Sequence, residues 1–135
     1  IHRAGGKLKD PSGAIAALWL RRSLSFNGAM LGNLVEAKDK PSSAAVAAAS
    51  KAAYQKVLAP FHGWKLRGVF SLAFKALPTR DDFFGKLAPG LSADPAVRAS
   101  VLNQQMAELS SSIAQLATHM EAEQRKLDLE NEDKV

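Results

Sequence analysis

The residues best placed to do chemistry are the cluster His62-Gly63-Trp64 and, earlier in the chain, Trp19 and Arg22. His62 continues an apolar stripe that includes Tyr54 and Leu58, whereas Trp64, two residues on, points about 200° away on a helix. A polar tip among apolar neighbours thus stands beside an outward amphipathic ring. One use of such a pair is a polar anchor inside an apolar pocket, with Trp64 and either Lys65 or Arg67 at a membrane interface. The other is a hydrogen-bonded core histidine next to a surface tryptophan. Arg22 lies three residues after Trp19 and four before Phe26, so it shares their helical face while Arg21 points to water. A cation on an apolar face needs a partner.

Other chemistries find no support. His2, His62 and His119 lack ligand-type spacing, so no metal site is expected. Asp81 and Asp82 are adjacent and diverge by about 100° on a helix, which does not make a general acid and base pair. Cysteine is absent, which removes thiol nucleophiles and disulfides and points to a reducing compartment. No serine sits in a nucleophile elbow and no glycine-rich loop follows a strand. The chain is expected to be no enzyme and to need no cofactor.

The elements that must hold these residues are helical. A helix is predicted to begin near Pro11, with apolar residues Ile15, Leu18, Trp19, Phe26 and Met30 on one stripe and Leu20, Leu24, Leu31 and Val35 on another. Two apolar faces make it a central helix. Lys38 to Ser43 reads as a loop, with Ser42 or Ser43 capping an alanine-rich helix to Leu58. Pro60 breaks or kinks that helix. His62, Leu66, Val69, Phe70, Ala73 and Leu77 form the next stripe, up to Pro78. Thr79 caps a short helix, and Asp94-Pro95 opens a long final one. There Leu102, Met106, Leu109, Ile113, Leu116, Met120 and Leu127 keep a coiled-coil-like four-three spacing expected to pack on the domain's own core. Residues 1–10 read as a linker or the end of a preceding segment. No strand alternation appears.

The 135 residues suffice for one core, and 47% hydrophobic content suits a globular chain. The net charge is +5, weighted towards the first two thirds of the chain, while acidic residues crowd the end. Without aromatic residues interleaved in a basic stripe, nucleic acid is not the expected partner. No apolar run reaches the length of a membrane span, so a soluble, cytoplasmic chain is expected.

The segment Ala17-Leu18-Trp19-Leu20-Arg21-Arg22-Ser23-Leu24-Ser25-Phe26 resembles the LWLKRGLxF helix of the glycolipid transfer protein family. Ala53-Tyr54, Leu58 and His62-Gly63-Trp64 are similar to its AY…L…HGW segment, and Arg67 to Phe70 and Ala76 to Phe83 continue the match. The likeness is strong over residues 14–87, weaker to Val135, and nearest to the phosphoinositide-adaptor branch of the family. It implies an all-α, two-layer helical sandwich that takes a sphingolipid between its layers. Trp19 would then stack on the first sugar, with Arg22 beside it, and His62 would bond the amide region. Ile15, Phe26, Leu58, Phe70, Phe83 and Leu87 would line the chain pocket, and Trp64 and Lys65 would dock on the membrane. The implied partners are a sphingolipid or glycolipid and a transient membrane surface, with peripheral membrane association. The family's headgroup-binding Asp, Asn and Lys lie on an earlier helix, and nothing before Pro11 matches it. Residues 11–135 therefore read as the C-terminal portion of the fold, a monomeric domain within a longer chain. The alternative is a helical scaffold that kept the fold and lost the headgroup site.

Overall fold

A computed structural model describes residues 3–4 and 7–133. His2, named above among the histidines, and Val135 lie outside the described residues. Arg3–Ala4 (β1) and Lys7–Leu8 (β2) pair antiparallel, Arg3 opposite Leu8 and Ala4 opposite Lys7. This two-residue ladder was not foreseen: it is too short for period-two alternation to register. Leu8 is buried.

Five α-helices follow: α1 Gly13–Glu36, α2 Ser42–Val57, α3 Trp64–Ala73, α4 Arg80–Leu87 and α5 Pro95–Lys126. The caps follow from residue type. Ser12 is extended and its hydroxyl accepts the Ile15 N–H at 3.3 Å. Thr79 accepts from Asp82 and Asp94 from Ala96, each satisfying an amide that the first turn leaves open. No serine caps α2, which starts after Pro41.

α1, about 36 Å long by its residue count, is the shared wall. α2 packs on one flank, where Asn33 Nδ2 donates to the Ala49 carbonyl at 3.2 Å. α5 packs on the other, where Ser110 Oγ donates to the Gly28 carbonyl at 2.8 Å. Leu31 and Leu34 of α1, Ala45, Val46 and Ala49 of α2, Phe84 of α4, and Leu102 and Met106 of α5 form one core. The fold is the all-helical, layered arrangement expected, with α1 central.

Two packing expectations are corrected. Leu109, Leu116 and Leu127 of the four-three seam are 51%, 49% and 64% exposed. The residues that face the protein are Leu102, Met106, Ile113, Ala117 and Gln124, whose four-seven spacing repeats every eleven residues, the period of a nearly straight helix. A strict heptad slips off this face because a helix of 3.6 residues per turn drifts about 20° per seven residues. On α3, Val69 is 61% exposed, and His62 sits before the helix in extended conformation.

Candidate functional site

The break at Pro60 builds the site. Ala59–Phe61 form a single 3-10 turn and His62 leaves it extended, so the chain reverses between α2 and α3. The bonds lost there are replaced from one side chain: Arg67 Nε donates to the Ala59 and His62 carbonyls at 3.0 and 2.9 Å, and Nη2 to Ala59 at 2.6 Å. His62 is thereby held against Trp19 of α1, ring centroids 5.8 Å apart and planes 29° apart. Tyr54 of α2 and Phe70 of α3 stack at 4.6 Å, and His62 lies 5.2 Å from Phe70.

His62 is 5% exposed, and its Nδ1 is 3.0 Å from the Tyr54 hydroxyl. Burial first, then the positive fields of Arg67 and Arg22, hold its pKa below the ordinary 6.5, so the ring is neutral at physiological pH. Burial raises the Tyr54 phenol above its ordinary value, keeping its proton. When that hydroxyl donates, Nδ1 accepts and Nε2 carries the imidazole proton. Of the two ring nitrogens, only Nδ1 has a partner among the described residues. Trp19, Ser23, Leu58, His62, Leu66 and Phe70 line a pocket of about 400 Å³, apolar but for one hydroxyl and one imidazole.

A second cavity of about 260 Å³ is also lined by Trp19, with Lys7, Asp10, Ile15, Arg22, Asn131 and Asp133 among its other walls. Arg22, 3% exposed, carries its guanidinium 3.5 Å from the Phe61 ring centroid and 4.9 Å from that of Trp19, a cation-π sandwich. It donates to the Asn131 carbonyl. Burial and neighbouring Arg21 pull its pKa down, against Glu130 and Glu132. The partner that an apolar-face arginine requires is thus the segment after α5, which turns back where Leu129 N–H donates to the Gln124 carbonyl at 2.8 Å.

Arg21 does not point to water. It is 9% exposed and binds both carboxylate oxygens of Glu130 at 2.9 and 3.0 Å, with Glu121 at 3.4 Å. Helical spacing within α1 could not reveal this, because the carboxylates arrive from the far end of the chain.

The structure brings Trp19, Leu58, His62 and Phe70 onto one pocket and places Ile15 and Arg22 on the adjoining cavity. Phe26, Phe83 and Leu87 do not line either; Phe83 packs beside the core and Leu87 is 52% exposed. Trp64 is 80% exposed, with Lys65 Nζ 5.6 Å from its ring. Phe61, Arg21 and Glu130 belong to the site and were not singled out from sequence; only the eight-residue step from Tyr54 to His62 signalled a contact. Among the described residues no group of three metal-ligating side chains comes together, and no helix is long and apolar enough to cross a membrane.

Comparison with known proteins bears on the family and the fold. The family model described as "Glycolipid transfer protein (GLTP)" matches residues 2–89. Human pleckstrin homology domain-containing family A member 8 is 42% identical over 72 residues, covering 53% of this chain and 13% of that protein. Glycolipid transfer protein 3 of Arabidopsis thaliana is 34% identical over 86 residues, covering 64% and 35%. Among solved structures, one describing how FAPP2 selects simple glycosphingolipids with the GLTP fold superposes with a TM-score of 0.75 at 26% identity, covering 92% of this chain and 57% of that one. A point mutant of Arabidopsis ACD11 in complex with C12 ceramide-1-phosphate superposes with a TM-score of 0.68 at 26% identity, covering 90% and 55%. The chain therefore spans little more than half of the solved chains and much less of the sequence relatives. With the family model matched over most of its length and the same helical frame in both structures, the chain belongs to the glycolipid transfer protein family.

Proposed function

We propose that the protein binds a sphingolipid with an uncharged sugar headgroup, a glycosylceramide, and carries or senses it at membrane surfaces. The observation that supports this reading most directly is the shared pocket of Trp19 and His62. It pairs an aromatic platform with a buried imidazole that has one ring nitrogen unpaired among the described residues. The indole face packs on the apolar face of a hexose. The Nε2 proton of His62 donates to the ceramide amide carbonyl, its position set by the Tyr54 bond. Leu58, Leu66 and Phe70 receive the first part of the hydrocarbon, where each buried CH₂ contributes about 0.8 kcal/mol. Phe26, Phe83, Leu87 and Ile15 extend the apolar path once the helices part. No bond is made or broken.

Trp64 and Lys65 supply the membrane contact, since an exposed indole and an adjacent cation both favour the interface. The protein then works in the cytoplasm with peripheral membrane association, and residues 11–135 provide the lipid-binding unit. The two solved relatives divide over headgroup, one described with simple glycosphingolipids and one holding ceramide-1-phosphate. Trp19 in the pocket favours the first.

The test is movement of fluorescent glucosylceramide between vesicles. The protein transfers or retains it, and Trp19→Ala weakens binding of the sugar lipid about tenfold more than of plain ceramide, the size expected for a lost aromatic contact together with its buried area. Neither transfer nor retention by the unaltered protein would leave a scaffold that has kept only the fold.

A further inference from the structure

Resting on that reading, we infer that the acidic segment Glu130–Asp133 is a headgroup selector: it occupies Arg21 and Arg22 and so denies them to a phosphate, leaving the Trp19 cavity to an uncharged headgroup rich in hydroxyls.

A buried arginine pair beside a lipid pocket is what a phosphate headgroup would seek, because guanidinium forks match phosphate oxygens with two parallel charge-assisted bonds. In this chain that pair is already engaged. Arg21 Nη2 donates to both oxygens of Glu130, and its Nη1 faces Glu121 at 3.4 Å. The Asn131 carbonyl caps Arg22 Nη2, and Asp133 reaches across to Lys7 at 3.2 Å. Three cations that could gather round an anion are thus tied to one short stretch. Seating a phosphate on Arg22 would require it to enter beside carboxylates in a partly desolvated site, where like charges repel strongly.

The same stretch suits hydroxyls. Asp10 and Asp133, both on the cavity beside Trp19, are acceptors, and a sugar supplies donors. The device works by exclusion as well as attraction, which is how a single pocket separates ligands sharing one ceramide body. Arg22 is not idle: sandwiched between Phe61 and Trp19, it holds the indole in place while its Nε stays buried with no partner among the described residues. That donor is available to an anion only when the segment gives way.

The experiment is a competition between glucosylceramide and ceramide-1-phosphate in neutral phosphatidylcholine vesicles, with the full protein and its Glu130→Gln/Asp133→Asn variant. The unaltered protein prefers the sugar lipid. The variant shifts the ratio of affinities towards the phosphate by about tenfold, the scale of one close charge contact, and adding Arg22→Gln cancels the shift. If the variant lowers both affinities in parallel, or leaves the ratio where it was, the segment is only structural and the inference is overturned. Should the double variant fold poorly, Glu130→Gln alone keeps shape and size at a half-exposed position, and Glu130→Asp restores the original ratio. Glucosylceramide left unbound by the unaltered protein would overturn the proposed function instead, a result separable from a sugar binder whose variant still rejects phosphate.

Discussion

α1, which packs on α5, and α3 both line the pocket around His62 but are built in opposite ways. α1 buries six of its residues and meets α5 so closely that a Cβ on Gly28 would stand 2.9 Å from Ile113 Cγ2 and 3.6 Å from the Ser110 carbonyl. α3 buries none. It is held by stacking of Phe70 on Tyr54, by Phe74 against the same ring at 5.4 Å, and by the Arg67 bonds at its base, while Val69 and Leu72 stand 61% and 67% exposed. The site therefore has a close-packed wall carrying Trp19 and a lightly held wall carrying Phe70, with His62 between them. Under the proposed lipid binding this division is useful, because elements with few buried contacts open at little cost.

The sharpest way to break the contrast is to overfill the tight wall. Gly28→Leu forces α1 and α5 apart along the contact set by Ser110 and Ile113, and costs about 3 kcal/mol, near the upper end for an overpacked core. Urea or thermal unfolding measures it. Gly68→Ala on α3 is the matched control: nothing lies within 4 Å of its Cβ position, so that variant is neutral or gains up to about 1 kcal/mol from helix propensity. Equal losses at the two glycines would show that the walls do not differ.

A smaller effect is expected where the two walls are tied. Tyr54 is 5% exposed and its hydroxyl partners His62 Nδ1. Tyr54→Phe keeps the stack with Phe70 and leaves the imidazole nitrogen buried without a partner, a loss of about 1–2 kcal/mol. Lipid affinity falls as well, since nothing then fixes which nitrogen carries the proton. Full stability with weaker binding would make Tyr54 a positioning group alone. The reverse would make the pair part of the core.

The two walls also differ in how far they could be read from the chain. Local signals carried well: Thr79 and Asp94 cap the helices they were expected to cap, and the stripe through Tyr54, Leu58 and His62 survives the Pro60 turn. The α5 seam was misread because apolar spacing shows which residues are greasy and not which neighbour they meet. Gly28 and Gly32 are met by Ile113 and Ser110, and Leu109, one position from Ser110, is left outside. Long-range electrostatics were the least visible. Arg80 reads as a surface charge, yet it is 6% exposed and donates to the Lys38 carbonyl at 2.6 Å and to Ala37, closing the C-terminal end of α1 where a cation is favoured. Arg21 and Glu130 likewise meet only after the chain folds. The pairing of Trp19 with His62 came from family likeness, since no periodicity links two positions on different elements.

The smallest effect concerns protons and separates the walls without altering a residue on either helix. Burial, Arg67 and Arg22 together hold His62 below its ordinary pKa of 6.5. A histidine depressed in the folded state takes up its proton more readily when unfolded, so stability rises with pH across the gap between the two values. Its contribution is complete above the unfolded value, begins to fall as pH drops below about 6.5 and levels off below the depressed one. Glu121 and Glu123 act in a separate, lower window, because their partners Arg125 and Lys126 hold them below the ordinary 4.5, and the stability they add is lost only as pH falls through that range. As pH falls through the upper window, opening that moves His62 away from Arg22 on the α1 side and Arg67 on the α3 side lets the ring take up its proton, and α3 is the wall that can yield. Amide exchange in Trp64–Ala73 should therefore accelerate from about pH 7.5 to about pH 5.5 beyond the intrinsic pH trend, with little change in the centre of α1. His62→Gln should abolish the difference. Equal acceleration in both helices would mean that the imidazole reports global stability and that α3 is no looser than the wall it faces.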